Sequence, residues 1–393
     1  MPPSFFIILV SVFVDMLGYG IMLPLLPFFV QAQDGGAAIA GGLMSMYSTI
    51  QLVSGPILGA LSDRYGRKPI LLFCLLGTAT SYLLLGLANS LIIIFLAVFI
   101  DGLTGSNLTL AHAYVADTTN AETRAKGINY SQLAFGLGIM AGPILGGLLS
   151  GYGLSLPALV ASFLAFANTV FGFFFLPESL SPERRETKPF SQVFSWAGQF
   201  TSIFRQKNIQ SFLVVLFLLN LAFAGLQTNF PLFSNARFGW TPAQNSYFYL
   251  YVGLCGVIVQ GVLYARLQAR FGERKLIPVG LTCMVIGLAG MAFVPAAWMI
   301  FPAVAVVALG TGISIPSLTA LVSLRVPENE QGRLMGGNQT LLAFTNIFGP
   351  TIAGISFDVI AISAPYWLGS VFSAFALVVA ILALQRNNPE GMK

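Results

Sequence analysis

The stretch that decides the fold is a short charged segment, and it reads Gly59-Ala60-Leu61-Ser62-Asp63-Arg64-Tyr65-Gly66-Arg67-Lys68. Apolar runs at 42–61 and 70–88 flank it, and each is long enough to cross a bilayer as a helix. The two glycines allow a tight turn, and Asp63 is well placed to meet the positive N-terminus of the second helix. The segment therefore predicts a polar turn between two membrane-spanning helices.

Apolar runs of this kind recur along all 393 residues, of which 56% are hydrophobic and 8% charged. A soluble domain carries about 25% charged residues, so a soluble globular protein is excluded. Twelve helices of about 20 residues use about 240 positions, which leaves room for short loops but not for a soluble catalytic domain. We therefore expect an all-α integral membrane protein in a lipid bilayer, and not an enzyme. The net charge of +5 lies in short clusters between the runs and does not indicate a nucleic-acid partner.

The hydrophobic pattern predicts twelve spans, at 5–30, 42–61, 70–88, 91–115, 128–150, 155–176, 210–233, 244–266, 276–294, 297–322, 335–357 and 364–384. If the N-terminus is cytoplasmic, all of the 19 Lys and Arg residues except Arg237 fall on the cytoplasmic side. This bias predicts that both termini are cytoplasmic. The chain begins without a basic segment or a cleavage site, so we interpret the first apolar run as a retained helix.

The chain divides into two related halves. A polar linker at 177–209 separates the first half at 1–176 from the second half at 210–393, and its apolar spacing beyond Pro189 predicts an amphipathic helix in the membrane interface. Arg64-Tyr65-Gly66 recurs 206 residues later as Arg270-Phe271-Gly272, and Gly142-Pro143 recurs as Gly349-Pro350. Two pseudo-symmetric six-helix halves can rock about a central site, which is the basis of alternating access.

The segment at 59–68 resembles the loop 2–3 signature of the major facilitator superfamily, and Gly138 to Gly147 resembles the span 5 signature of its antiporters. Asp15-Met16-Leu17-Gly18-Tyr19-Gly20 is similar to span 1 of the drug:proton antiporters, with the tetracycline exporters as the nearest branch. The sequence also departs from the family. Val98 stands where an arginine is common in span 4, and Ser81 and Met284 stand where tetracycline exporters have acids. The substrate of that branch therefore does not carry over.

The resemblance implies a charge latch that holds the halves together while the site faces outward, formed by Gly59, Asp63, Arg64, Gly66, Arg67, Lys68, Asp117 and Arg124. The alternative is that these charges only determine topology. The antiporter-type segment of span 5 contains Gly138, Gly142, Pro143, Gly146 and Gly147. Small residues at four-residue spacing permit close helix contact, and Pro143 bends the helix; the antiporter meaning comes from the resemblance.

Asp15 and Asp101 are the two acids within the predicted spans, where no Lys or Arg lies beside them. An ionisable group at the bilayer centre costs about 2.5–3.5 kcal/mol, so it is by default a functional hypothesis. We expect one or both to couple proton entry to substrate exit. The alternative is that they are neutral acids bonded to a neighbouring helix. His112, eleven residues after Asp101, lies along the same helix face and is either a proton relay or a partly solvated histidine.

Neutral polar residues at helical spacing predict a substrate cavity, and they are Gln51, Asn107, Asn129, Gln132, Asn220, Gln227, Tyr247, Tyr251, Gln339 and Asn346. With 34 phenylalanines in the chain, such a cavity suits a mostly apolar solute held by a few hydrogen bonds. Each residue alone is also explained as a hydrogen-bonding group between helices.

The sequence as a whole predicts proton-coupled efflux of a small apolar or amphipathic organic compound by alternating access. A proton symporter or facilitator for a metabolite such as a sugar, and a non-transporting receptor or assembly protein, are the alternatives. No phosphate-binding loop or metal-ligand pattern is present, so we expect no cofactor and no metal, with the proton gradient as the energy source. We expect a monomer in a bacterial inner (plasma) membrane, with a small-molecule substrate and protons as its partners.

Overall fold

The computed structural model describes residues 3–185, 207–327 and 330–386. Within these ranges the regular elements are helices. Contacts between residues divide the chain into two units, and the first is Met1–Phe194 with Trp240–Leu250. The second is Ser195–Gly239 with Tyr251–Lys393. The predicted helix of the linker lies outside the described residues, and the predicted division at 176 and 209 stays a prediction.

The first unit contains eight helices in its described part, and part of a ninth enters it from the second half of the sequence. The eight are α1 Pro3–Met22, α2 Leu26–Gln31, α3 Ala37–Tyr65, α4 Arg67–Gly86, α5 Leu91–Thr104, α6 Asn107–Thr118, α7 Ala121–Ser150 and α8 Ser155–Phe175. The predicted first span at 5–30 is interrupted between α1 and α2, with Pro27 in the first turn of α2. Asn120 caps α7 by accepting a hydrogen bond from the Thr123 N–H at 2.9 Å.

The later helices are α9 Lys207–Phe238, α10 Pro242–Ile258, α11 Tyr264–Phe293, α12 Ile300–Ser323, α13 Gln331–Val359 and α14 Ala364–Arg386. A π-helical turn at Val259–Leu263 joins α10 to α11. Gly272 has φ 69° and ψ 161°, which is not a helical conformation, so α11 bends sharply there. Gly66 ends α3 with φ 109°. The two turns correspond in the repeat, and both require the positive φ that glycine adopts without strain.

Ten segments of the described chain are long and apolar enough to cross a membrane. One of them, Pro242–Phe293, covers the helices on both sides of Gly272, and the 29-residue helix Ala37–Tyr65 is not among the ten. Counting the two parts of that segment separately and adding Ala37–Tyr65 gives twelve. Ten such segments are found, and the count of twelve membrane spans stays a prediction.

The repeat is visible in how the helices pack. In the first unit, α1 contacts α7 and α8, and α4 contacts α5 and α8; in the second unit, α9 contacts α13 and α14, and α11 contacts α12 and α14. A Cβ added at Gly142 would lie 2.6 Å from the backbone of Gly20, so α1 and α7 are in direct backbone contact. Gly349 lies equally close to Ala224, where an added Cβ would be 2.8 Å from the Ala224 Cβ. Small residues at corresponding positions of the repeat therefore allow the corresponding helix pairs to pack closely.

The predicted fourth span at 91–115 is a broken helix. α5 ends at Thr104 and α6 begins at Asn107, with Gly105 and Ser106 between them. The sequence pattern predicts one continuous helix, because the run is apolar over the length that crosses a bilayer and one glycine, Gly105, is tolerated within such a run. The break places non-helical backbone at membrane depth, which is tolerated where protein groups satisfy the exposed carbonyls.

Substitution of Gly142 tests the contact between α1 and α7. We expect Gly142→Ala to cost about 1–3 kcal/mol, because the new methyl group overpacks against the Gly20 backbone. Gly136 is on the same helix with no atom within 4 Å of an added Cβ. Gly136→Ala is therefore the matched control, and it is neutral or stabilising by up to about 1 kcal/mol. Thermal unfolding in detergent, followed by tryptophan fluorescence, compares the two; equal melting temperatures would show that the contact is not tight.

Candidate functional site

The two membrane-embedded acids lie in the first unit on different helices. Asp15 is on α1 and is 5% exposed. Asp101 is on α5, half-buried, and it lines a small cavity. Burial of a carboxylate in an apolar environment is costly unless hydrogen-bond donors satisfy it, so the neighbours of each acid decide its state.

A continuous chain of polar side chains connects the two acids. The Asn107 Nδ2 donates to Asp15 Oδ1 at 2.8 Å and lies 3.3 Å from Thr78 Oγ1. The Thr78 hydroxyl in turn lies near the Asp101 carboxylate and interacts with it. Because the Thr78 hydroxyl accepts from Asn107, its own proton is available to Asp101. Asp15 therefore accepts from one end of this bridge and Asp101 lies at the other end, and the bridge is buried: Thr78 is 3% exposed and Asn107 is 6% exposed.

The break between α5 and α6 places Asn107 in this bridge. Asn107 is the first residue of α6, and its side chain reaches across to α1. The carbonyls freed by the break find donors on α3: Gln51 Nε2 donates to the Gly105 oxygen, and Ser54 Oγ donates to the Gly102 oxygen at 2.9 Å. Asn107, which donates to Asp15, is thus also the first residue at the N-terminus of α6, the positive end of the helix dipole.

A cavity of about 40 Å³ borders Asp101, and its other lining residues are Tyr19, Met22, Leu23, Leu26, Met44, Tyr47, Ser81, Tyr82, Leu85 and Val98. One water needs about 10–15 Å³, so the cavity accepts a few water-sized molecules. A pocket for a drug-sized ligand measures about 300–1,000 Å³, far more than this one offers. In this conformation the volume of the cavity beside Asp101 is enough for a few water molecules and too small for a drug-sized organic solute.

Asn107 lies between the two acids, and its predicted place in a substrate cavity stays a prediction. It is buried in the bridge between the acids and is absent from the lining of the cavity. Gln51 is likewise occupied, since it donates to Tyr47 OH at 3.1 Å as well as to Gly105. The sequence shows that both residues are polar within apolar spans, but it does not show that their partners are the acid and the broken helix.

The other predicted cavity residues take varied positions. Asn129, Gln132, Tyr247, Gln339 and Asn346 are exposed, and Gln227 is half-buried. Asn220 donates to the Leu216 carbonyl of its own helix at 2.7 Å, and Tyr251 packs edge-on against Phe301 with ring centroids 5.2 Å apart. The two units are described separately, so a cavity shared by these residues stays a prediction.

Among the residues of the predicted latch, Arg67 makes both of the ion pairs described here. Arg67 forms ion pairs with Asp63 at 2.6 Å and with Asp117 at 2.9 Å, and it also donates to Ser62 Oγ at 2.6 Å. Its contacts join α3, α4 and α6 within the first unit. The remaining cations have other partners: Arg64 stacks on Tyr65, Lys68 donates to the Phe173 carbonyl at 2.8 Å, and Arg124 to the Ala116 carbonyl at 3.4 Å.

The N-terminus of α4 is capped by the side chain of Glu178, a residue that is not among the predicted site residues. Its carboxylate accepts from the backbone N–H groups of Arg67 at 2.8 Å and Lys68 at 3.2 Å. This corrects the expectation for Asp63, which pairs with the Arg67 side chain instead. The position of Glu178, two residues after the end of a span, gave no signal that it caps a helix 110 residues earlier.

The predicted packing glycines of α7, the single histidine and the possible metal ligands can each be located in the structure. Gly138, Gly142 and Gly146 of α7 all lie against α1, and Gly147 lies against Ser246. Among the described residues, the buried His112 Nε2 has no hydrogen-bond partner, so its predicted role as a proton relay from Asp101 stays a prediction. In the described part of the chain, His, Cys, Asp and Glu side chains form no group of three that could hold a metal ion.

Comparison with known proteins places these features in a family. The family model described as "Major Facilitator Superfamily" matches residues 8–340 and 257–393. "Tetracycline resistance protein, class C" of Escherichia coli is 32% identical over 390 residues, covering 97% of this chain and 96% of the relative. "Multidrug resistance protein 2" of Bacillus subtilis (strain 168) is 30% identical over 383 residues, covering 96% of this chain and 93% of the relative.

Solved structures share the fold at lower identity. The crystal structure of the human organic anion transporter MFSD10 (TETRAN) matches with a TM-score of 0.69 and 24% identity, over 97% of this chain and 100% of that chain. The crystal structure of the nucleoside transporter NupG matches with a TM-score of 0.74 and 14% identity, over 98% of this chain and 99% of that chain. These similarities show the fold alone.

The bridge between the acids can be tested with a double-mutant cycle. We expect Asp15→Asn and Asn107→Ala to couple by about 1 kcal/mol or more, because the two side chains share a buried hydrogen bond. The control pairs Asp15→Asn with Asn220→Ala, whose amide bonds its own helix in the second unit; these should add within about 0.5 kcal/mol. Unfolding free energies in mixed detergent–SDS micelles give both values, and an additive first pair would contradict the bridge.

The cap of α4 generates a second test. Removing the Glu178 carboxylate leaves the two α4 N–H groups without their acceptor, so Glu178→Ala should lower stability by about 1–2 kcal/mol. Glu178→Gln keeps one acceptor oxygen and should lose less. Glu183→Ala removes an exposed acid of the same connecting segment and serves as control. If the Glu178 and Glu183 variants melt at the same temperature, the carboxylate does not cap the helix.

Proposed function

The chain belongs to the major facilitator superfamily, and we propose that it exports a small apolar or amphipathic organic compound in exchange for protons. Relatives named for tetracycline resistance and for multidrug resistance match almost its whole length at 28–32% identity. Their names support efflux as the direction of transport. The departures at Ser81 and Met284 leave the identity of the substrate open.

The observation that carries the proposal is the bridge from Asp15 through Asn107 and Thr78 to Asp101. Two acids joined by neutral donors, without a cation in the bridge, can hold a proton at membrane depth and release it. Proton loading neutralises a charge that is otherwise expensive to keep in a low-dielectric environment. The cavity beside Asp101 provides room for water on the path of that proton.

The energy available is sufficient for accumulation against a gradient. A proton that crosses a potential of 100 mV releases about 2.3 kcal/mol, before any pH difference is added. In the cycle that we propose, substrate and proton compete for the carrier. Protonation of the acids accompanies the return of the empty carrier to the inward-open state, and no cofactor or metal takes part.

Topology follows the same proposal. We place both termini in the cytoplasm of a bacterial inner membrane, because all positive residues except Arg237 fall on one side of the predicted spans. We propose that the monomer is the functional unit, since each chain supplies both halves of the repeat. The charge cluster at Arg67 then lies on the cytoplasmic side, where the latch would act.

Transport in proteoliposomes tests the function. With an imposed pH gradient, the wild-type protein should drive movement of a probe such as tetracycline or the dye ethidium, accompanied by proton flux in the opposite direction. We expect Asp15→Asn and Asp101→Asn to reduce gradient-driven transport to the level of empty vesicles, because an amide cannot carry the proton. Asp34→Asn is the matched control, since Asp34 is exposed in a turn at φ 57°, a conformation that Asn tolerates.

Three outcomes would contradict the proposal in different ways. Unchanged transport in both variants would show that Asp15 and Asp101 do not couple proton movement to transport. Probe and protons moving in the same direction would favour a symporter. Binding of a ligand without transport, in vesicles that contain folded protein, would favour a receptor.

A further inference from the structure

A groove runs along the outer surface of the first unit between α4 and α8, with a cavity volume of about 450 Å³. We call it the α4–α8 groove; it is lined by Pro69, Leu72, Phe73, Leu76, Phe166, Thr169, Val170, Phe173 and Phe174. From Pro69 to Leu76 the wall rises about 10 Å along the helix axis. The groove is much larger than the cavity of about 40 Å³ at Asp101 and lies on a different surface.

The wall of the α4–α8 groove is apolar. None of its lining side chains is charged, and its one hydroxyl, of Thr169, donates to the Ala165 carbonyl at 2.9 Å within its own helix. The aromatic rings are substantially exposed, with Phe73 at 57% and Phe174 at 72%. Such a surface offers contacts to hydrocarbon and no hydrogen bonds to a polar ligand.

The cytoplasmic mouth of the groove is cationic. The Lys68 ammonium lies 5.7 Å from the centroid of the Phe173 ring and donates one hydrogen bond to the Phe173 carbonyl. An ammonium has three donors, so two remain for an anion. The Arg185 guanidinium lies at the adjacent turn, where one of its nitrogens is 3.4 Å from the position that a Cβ on Gly66 would take, next to the Glu178 carboxylate.

One carboxylate, that of Glu178, lies at this mouth and offsets one of the two positive charges, so that a net positive charge remains. Glu178 accepts from four backbone N–H groups, those of Arg67, Lys68, Ser179 and Leu180. Among the ion pairs given for the described ranges, none involves the Lys68 ammonium; those at this turn join Arg67 to Asp63 and to Asp117. An apolar channel that opens at a positive rim has the polarity of a lipid with an anionic headgroup.

We propose that the α4–α8 groove binds one anionic phospholipid of the cytoplasmic leaflet. An acyl chain fills the apolar channel, and the phosphate sits at Lys68 with Arg185 beside it. The charge complementarity at the rim selects the headgroup, while the aromatic wall accepts the chain. Because Lys68 follows Arg67 directly in sequence, the lipid occupies the same turn as the Arg67 cluster. The inference depends on membrane insertion and not on the transported substrate.

Lipid retention measures this site directly. The full chain, purified in detergent, is titrated with phosphatidylglycerol or with phosphatidylcholine of the same acyl chains, and native mass spectrometry counts the retained lipids. We expect one phosphatidylglycerol to be retained more tightly than phosphatidylcholine. Lys68→Gln should weaken that one binding event about fivefold, the effect of one basic residue near an anionic headgroup. Lys275→Gln is the matched control, because Lys275 is exposed at the equivalent turn of the repeat.

Two further measurements distinguish the contribution of the acyl chain from that of the headgroup. Leu72→Trp places a ring in the channel and should weaken retention of both lipids, whereas Lys68→Gln should affect phosphatidylglycerol alone. Inorganic phosphate at the same concentration should not raise the melting temperature, since it lacks the acyl chain. Equal retention of the two lipids by the wild type, or an equal loss in the Lys68 and Lys275 variants, would overturn the proposal; stabilisation by phosphate alone would replace it with an anion site.

Discussion

The structure depends on one constraint: in a hydrocarbon environment every polar group must find its partner inside the protein. The first unit meets this constraint at its most demanding place, the break between α5 and α6. The carbonyls freed at Gly102 and Gly105 are satisfied by Ser54 and Gln51 of α3. Asn107, released from the interior of a helix, becomes the donor to Asp15. The break therefore supplies a hydrogen-bond donor to the buried carboxylate, while α3 satisfies the carbonyls that the break exposes.

The same constraint explains the choice of residues between the acids. A lysine or arginine in place of Asn107 would form an ion pair and fix Asp15 in its charged form. An amide donor supports the carboxylate with one hydrogen bond at 2.8 Å and adds no charge. The hydroxyl of Thr78 has the same property, because it accepts from one side and donates to the other. A bridge of neutral groups leaves the charge of each acid free to change, which a proton carrier requires.

The sequence predicts the elements well and the partners poorly. Periodicity and hydropathy locate the apolar helices, as for α8 at Ser155–Phe175 against a predicted span at 155–176, but they miss the breaks within the spans at 5–30 and 91–115. The glycines of α7 are identified as packing positions because their spacing is local information. The partnership of Glu178 with α4, and of Asn107 with Asp15, joins residues 111 and 92 positions apart. Residue type and spacing along one helix do not encode contacts of that range, so these pairs require the three-dimensional structure.

The turn after α3 shows how one residue can serve two requirements. Gly66 has a positive φ, which lets α3 end and α4 begin without a connecting loop. Its missing side chain also makes room for the Glu178 carboxylate, since a Cβ there would collide with that carboxylate. A larger residue would both strain the turn and displace the cap, leaving the first N–H groups of α4 unsatisfied. Gly272 also has a positive φ but no atom within 4 Å of an added Cβ. The two halves thus share the turn, and within the described residues the capping carboxylate is found at the turn of the first half.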